Sequence, residues 1–237
     1  MSAMLFFAML FSIGHAEEVL RFNKGFTNVY AIIGDGGVVL VDAHNPDQED
    51  WIFKRLRRAG IRPEDVTLSL VTHVHVDHAG SAAALQAAGL TVALAEGDVS
   101  VAARGDHGVL SPTGAWGRWL EPRISSVFPS FTPDIVITDR LDLRPFGVDG
   151  DAVVVGGHTA GSLVVWLTDG VVLSGDLIRS RMIGRRRPAL HFFHADLDRA
   201  HGNIDRLLDD GAAVLKPAHG GDLRAPRVRR WLSRQAQ

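Results

Sequence analysis

Apolar and polar positions alternate in short blocks along this chain, and the blocks predict strands and helices in turn. Val66-Thr67-Leu68-Ser69-Leu70-Val71 is a β-branched apolar run of the kind that forms a buried strand. Val153–Val155, Val171–Leu173 and Ala213–Leu215 read the same way. Glu18–Phe22, Asn28–Ile33 and Val38–Val41 predict a meander, with Gly34-Asp35-Gly36-Gly37 as a hairpin turn. Asn45-Pro46 opens a predicted helix through Trp51, Ile52 and Leu56, ended by Gly60. Ala79–Leu85 is helix-compatible, Thr91–Leu94 reads as a strand, and a short helix is expected near Val99. Two more helices are predicted, over Asp196–Leu208 and from Arg224 onward. Residues 104–133 hold Gly, Pro, Ser and Trp without periodicity and read as an inserted loop or lid. Strands alternating with helices in both halves predict an α/β protein, with residues 17–237 as a single domain.

Several predicted strands end on a residue that can bind a metal. The strand at Val66 runs into Thr72-His73-Val74-His75-Val76-Asp77-His78, which puts four potential ligands within six residues. His73 and His75 can converge on one cation, while Asp77 and His78 can point to a second. Later strands lead to His158 on a glycine-flanked turn, to Asp176, and to His219. Open α/β sheets place their sites at such strand ends. Isolated histidines are more often satisfied polar residues than ligands, but this recurrence argues for one layer of donors around a metal cluster. Imidazole and carboxylate suit zinc, and also iron or manganese.

Composition narrows the possibilities. The net charge is −2, so no global electrostatic case exists for nucleic acid or an acidic membrane surface. Cysteine is absent, which excludes disulfides, thiol catalysis and thiolate ligands. Ala3–Ile13 is a short apolar run followed by Gly14-His15-Ala16. It is too short to span a bilayer and has the length of a signal-peptide core, although no Lys or Arg precedes it. Residues 1–16 are therefore expected to be a signal peptide cleaved after Ala16, placing the mature protein in the periplasm or outside the cell; otherwise it is cytoplasmic. No stable membrane anchor is expected.

On His73/His75/Asp77/His78, the His158 turn, Asp176 and His219, the chain resembles the metallo-β-lactamase-fold metallo-hydrolase superfamily. The resemblance implies a four-layer αβ/βα sandwich of two mixed β-sheets with helices outside. It implies that His73, His75 and His158 hold a first metal, that Asp77, His78 and His219 hold a second, and that Asp176 bridges them. Asp42, at the end of an early strand, is the implied partner orienting a metal-binding histidine. Two zinc ions, or iron or manganese, would activate water and polarise a carbonyl. Asp77 would be both ligand and catalytic residue, orienting the nucleophile and delivering a proton. The implied reaction is hydrolysis of a small-molecule ester, lactone, thioester or amide. Alternatives are a β-lactamase-like or lactonase-specific enzyme, a mononuclear-iron persulfide-type dioxygenase, and a metal-stabilised binding protein without catalysis.

Substrate contacts are sought near these donors. Trp116, Trp119 and Phe128 in the long loop are expected either to wall the site or to pin the loop to the core. Phe26 stands on a glycine-hinged hairpin tip. Among the arginines following Asp176, Arg179 is the expected contact for a substrate carboxylate. Thr159 and Ser162 are read as hydrogen-bonding the His158 turn. His191 and His194 are read as supporting residues, His107 and His201 as surface, and His44 as surface or supporting.

Overall fold

The computed structural model describes residues 16–181 and 186–235; the run Ala3–Ile13 and Arg185 lie outside the described residues. The first half comprises β1 (Glu18–Lys24), β2 (Thr27–Gly34), β3 (Gly37–Val41), α1 (Glu49–Arg58), β4 (Val66–Leu70), α2 (Val76–Ala79), α3 (Ala82–Ala87), β5 (Val92–Ala95), α4 (Glu96–Arg104), α5 (Ala115–Leu120) and β6 (Ile135–Ile137). The second comprises β7 (Arg140–Asp142), β8 (Gly150–Val154), β9 (Leu163–Leu167), β10 (Val171–Gly175), β11 (Arg179–Ser180), β12 (Pro188–Ala189), α6 (Leu197–Asp209), β13 (Val214–Pro217), β14 (Leu223–Arg224) and α7 (Ala225–Leu232). One sheet runs β1-β2-β3-β4-β5-β6, antiparallel through β3 and parallel thereafter. The other runs β14-β13-β10-β9-β8-β7, with β10 and β13 parallel. Among the described residues no helix is long and apolar enough to cross a membrane.

Side-chain alternation assembles the layers. In β2, Tyr30 and Ile32 join Leu68, Leu70, Leu163, Val165 and Leu167 in the core between the sheets. Their neighbours Val29 and Ala31 face the other way, onto Ile52 and Leu56 of α1 and Leu85 of α3. In the second half, Val164, Val172 and Leu215 pack on Ala200, Ile204, Leu207 and Leu208 of α6. The 4-3-1 spacing of those α6 residues is one face of an α-helix. Because central strands such as β2 and β9 bury residues on both faces, a one-residue slip would exchange the two cores, which fixes register. The result is helix, sheet, sheet, helix: the four-layer αβ/βα sandwich.

Three predicted helices differ in extent. The first begins at Glu49, not at Asn45-Pro46, because residues 45–48 form a turn in which Asp47 has φ 60°. The Ser81 hydroxyl braces that turn, donating to the Asn45 carbonyl (2.7 Å) and accepting from the Gln48 amide (2.8 Å). Gly80 passes so close to the Asn45-Pro46 backbone that a Cβ there would collide, and the predicted helix over Ala79–Leu85 divides into α2 and α3 around it. The helix near Val99 is longer than expected, nine residues of α4. The 104–133 insertion is not structureless either: it contains α5.

Candidate metal centre

The first cluster of donors is positioned by hydrogen bonds at the end of β4. Asp42 follows β3 with φ 68°, an uncommon conformation that aspartate tolerates better than most residues. Its Oδ1 accepts from the Thr72 amide and hydroxyl, both at 2.8 Å, and its Oδ2 accepts from His78 Nδ1 at 2.9 Å. The Thr72 hydroxyl in turn accepts from His73 Nδ1 (3.1 Å). Asp42 is thus the orienting partner expected from the sequence, and the histidine it orients is His78. Thr27 donates to Asp77 Oδ2 (2.9 Å), so the β1–β2 hairpin fixes that carboxylate.

The second sheet supplies the facing donors. After β8, Gly156 and Gly157 take positive φ, and a Cβ on Gly157 would meet Ala200 of α6. His158 lands with Nδ1 donating to the Phe193 carbonyl (2.8 Å). His219 donates from Nδ1 to the Phe26 carbonyl (2.9 Å). Asp98, which drew no attention in the sequence, joins the two halves. Its buried carboxylate accepts from the Val74 amide (2.9 Å), the Gly161 amide (2.9 Å) and the Thr159 hydroxyl (2.8 Å). Ser162 Oγ accepts from the Thr159 amide (2.7 Å), so both hydroxyls brace the His158 turn as expected.

With their Nδ1 atoms engaged, the rings aim Nε2 at one point. Asp176 Oδ2 lies 3.7 Å from Nε2 of His73, 3.3 Å from that of His78, 3.6 Å from His158 and 3.2 Å from His219. His191, read from sequence as a supporting residue, also joins them: its Nε2 is 3.2 Å from that oxygen. His75 presents Nδ1, 3.0 Å from His158 Nε2, and Asp77 Oδ2 stands 3.6 Å from His78 Nε2 and 3.4 Å from His219 Nε2. Potential ligand atoms lie within 4.8 Å of one another in each of four sets: His73/His75/His158, His73/His78/Asp176, Asp77/His78/His219 and His158/Asp176/His191. His73 Nε2, His78 Nε2 and Asp176 Oδ1 are buried without a hydrogen-bond partner. Buried polar atoms are rarely left so, since each costs about 1–3 kcal/mol. Bound cations would satisfy these atoms, and the donor set fits a metal.

Burial and charge divide the cluster. Burial, reinforced by neighbouring histidines, holds His73 and His158 well below the ordinary imidazole range and His75 at about 3. Burial acts on His78 and His219 too, but nearby carboxylates outweigh it. Asp77, Asp176 and Asp42 raise His78 well above its usual value, and Asp176 and Asp77 lift His219 to about 9. Burial alone would raise Asp77, yet His78 and His219 bring it down to about 2.

A cavity of about 940 Å³ opens over these donors. His75, Asp77, Asp176, His191 and His219 reach its floor, and Phe26, Leu110, Trp116, Trp119 and Ile124 contribute its apolar side. The aromatics of the insertion divide their roles: Trp116 and Trp119 are 69% and 53% exposed at the cavity, whereas Phe128 is 4% exposed and anchors the segment in the core. Phe26 on the hairpin tip is 70% exposed. Arg179 lines the cavity with its guanidinium 4.0 Å from the centre of the Phe192 ring. His107 also reaches the cavity, 4.9 Å ring to ring from His75, so it is more than a surface residue. His44 is buried, bonding the Lys24 carbonyl (3.1 Å) and the Asn45 amide (2.7 Å). His194 is buried 5.3 Å from the His158 ring. His201 packs edge-on against Trp231.

Fold and donor geometry together define an αβ/βα sandwich with a His/Asp cluster able to bind metal. The model of the metallo-beta-lactamase superfamily matches residues 22–219, and the chain belongs to that superfamily. Solved structures share the fold at low identity. A metallo-beta-lactamase from Pontibacter korlensis matches with 20% identity and a TM-score of 0.68, over 95% of this chain and 98% of that one. A metallo-beta-lactamase family protein from Thermus thermophilus matches with 22% identity and a TM-score of 0.64, over 93% and 79%. BJP-1, a subclass B3 metallo-beta-lactamase of Bradyrhizobium japonicum, matches with 20% identity and a TM-score of 0.61, over 94% and 80%.

Proposed function

We propose that the protein is a dinuclear zinc-dependent hydrolase of small-molecule esters, lactones, thioesters or amides. The observation that carries this reading is the convergence of imidazoles on buried Asp176 Oδ2 at the floor of an apolar-walled cavity. His73, His75 and His158 would hold one zinc, Asp77, His78 and His219 the other, with Asp176 between them. When bound, the pair supplies water with a pKa near 7 and a Lewis acid for the carbonyl oxygen. Asp77 reaches the cavity floor, where its carboxylate can orient the attacking water, accept a proton and return it to the leaving atom. The Thr27 hydroxyl keeps that carboxylate in place. Trp116, Trp119 and Phe26 exclude bulk water and favour a substrate with an apolar portion, while Arg179 is placed to receive a carboxylate.

Metal analysis of protein purified without chelator, beside a panel of lactones, thioesters and β-lactams, tests the reading. Two zinc ions per chain with turnover of at least one ester or amide class support it. A single iron with oxygen consumption on a persulfide would replace it with the dioxygenase, and full metal occupancy without turnover would favour a binding protein. The apolar run Ala3–Ile13 supports export, for which a mature terminus at or near Glu17 is the expected result of N-terminal sequencing.

A further inference from the structure

His191 reaches into the donor cluster itself. Its Nε2 is 3.2 Å from Asp176 Oδ2, as near as His219, and its ring stacks on the His219 ring at 5.3 Å and 20°. Its Nδ1 lies 3.2 Å from the Phe193 carbonyl, the same oxygen that takes the Nδ1 proton of His158. In the tautomer that carries the His191 proton on Nδ1, one carbonyl serves two imidazoles and each turns an Nε2 lone pair toward Asp176; in the other, Nδ1 accepts from the Phe193 amide (3.3 Å) and Nε2 donates to Asp176. Two lone-pair atoms facing a carboxylate oxygen repel it unless a cation lies between them.

The position is enforced by the backbone. Thr113 donates from its hydroxyl to the His191 carbonyl (2.6 Å) and from its amide to the Phe192 carbonyl (2.9 Å). The His194 amide donates to Ser111 (3.0 Å), and Pro112 pairs with Phe193 as an isolated antiparallel bridge. The 104–133 insertion thus clamps the loop carrying His191 against the donors.

We propose that His191 is an eighth protein donor, ligating through Nε2 the cation held by His158 and Asp176. The proposal rests on the metal-centre reading above but does not depend on which substrate is hydrolysed. Potential ligand atoms of His158, Asp176 and His191 lie within 4.8 Å of one another; with His73 and His75 of the proposed assignment they would give the first cation five protein donors. Tetrahedral zinc sites use four, so the fifth favours five- or six-coordinate geometry.

Cobalt(II) substitution tests this on the full chain, because four-coordinate cobalt absorbs visible light strongly and higher coordination absorbs weakly. His191→Phe keeps the ring and removes both nitrogens; His191→Asn, too short to ligate, guards against a packing artefact, and circular dichroism verifies the fold. In folded variants the visible absorption of the cobalt protein should intensify. Proton NMR should lose one paramagnetically shifted, exchangeable imidazole resonance, and metal affinity in chelator competition should fall by about 10-fold or more, the scale of supporting partners at least. Weaker affinity with an unchanged cobalt spectrum would overturn the proposal, since it would make His191 a hydrogen-bond donor to Asp176, the arrangement in which the Phe193 amide (3.3 Å) donates to Nδ1. Unchanged affinity and spectrum would overturn it as well. Loss of hydrolysis by the parent protein would count against the proposed function and leave these readouts intact.

Discussion

The two halves of the donor cluster are made of the same side chains and behave oppositely. His73, His75 and His158 are buried among other imidazoles, and burial leaves them neutral far below physiological pH. His78 is fully buried and His219 largely so, but both touch Asp77 and Asp176, and they hold protons well above it. Desolvation disfavours a charged imidazole in both places; His73 and His158 face Asp176 alone, at 3.7 and 3.6 Å, whereas His78 and His219 face both Asp176 and Asp77, and there the two carboxylates overcome it. Burial therefore prepares a ligand where imidazoles outnumber carboxylates and is overridden where two carboxylates flank the ring. The first half is ready for a cation, whereas the second must release protons to take one.

Removing one ligand from each half should break the comparison most visibly. His158→Ala deletes a neutral donor and the group held by the Phe193 carbonyl, and hydrolysis is expected to fall by about 10³-fold or more, since a Lewis acid contributes several kcal/mol and each 1.36 kcal/mol is tenfold. His219→Ala should lower occupancy of the second site only. Full activity in folded His158→Ala protein, with metal counted by mass spectrometry, would sink the ligand assignment.

Asp77 tests the next level. Asp77→Asn keeps the size and the Thr27 contact but removes the charge, so kcat should drop about 10²–10⁴-fold with metal largely retained. Asp176→Asn should instead lower metal content in step with activity, because four potential ligand histidines besides His191 aim at its oxygen. Steady-state kinetics at equal occupancy separates the two. An Asp77→Asn enzyme as active as the parent would leave that residue no catalytic part.

A smaller effect is expected at Asp98, which joins the halves without reaching the cavity floor. Asp98→Ala strips three donors of their acceptor, the Val74 and Gly161 amides and the Thr159 hydroxyl. Stability should fall by about 1–3 kcal/mol for each donor left unsatisfied, read as a lower midpoint in urea. Metal affinity should decline about 10–100-fold, as for other residues that orient ligands. An unchanged midpoint would show that water replaces the carboxylate.

The donors that the sequence revealed are those tied to regular structure. His73 to His78 are consecutive, and His158, Asp176 and His219 each follow a strand whose apolar run announces it, so local pattern carried the information. Asp42 ends an apolar run as well, but its orienting role came from the family resemblance. His191 and Asp98 were not legible: one lies in an irregular loop positioned by a distant segment, the other in the first turn of α4, where an acidic residue is expected merely from the helix dipole. The usable signal for His191 was its place 15 residues after Asp176 in a stretch rich in aromatics. The strands and helices followed from periodicity and the layers from the family resemblance, but the strand order and the division between Trp116 and Trp119 at the cavity and Phe128 in the core depend on tertiary packing that no local pattern encodes.

The gentlest perturbation, pH, bears on the comparison directly. In the metal-free protein His219 has its pKa raised to about 9 and His78 is raised as well, so below that pH a cation entering the second half must displace protons. Its affinity there should increase about tenfold per pH unit for each proton displaced, and level off once the pH passes the raised values. The first half carries the opposite shift, with His75 lowered to about 3, so its affinity should stay flat from about pH 6 to 9. A cation already in the first half repels the imidazolium charges and moves the upper end of the sloping window downward, without giving the first half a slope of its own. Calorimetric titrations at several pH values, each in two buffers of different protonation enthalpy, count the protons released per metal. Near-zero release for the first cation and one or more for the second is the expected result. Equal release in both steps would mean that the halves do not differ in protonation, and that the carboxylates beside His78 and His219 do not hold their protons in place.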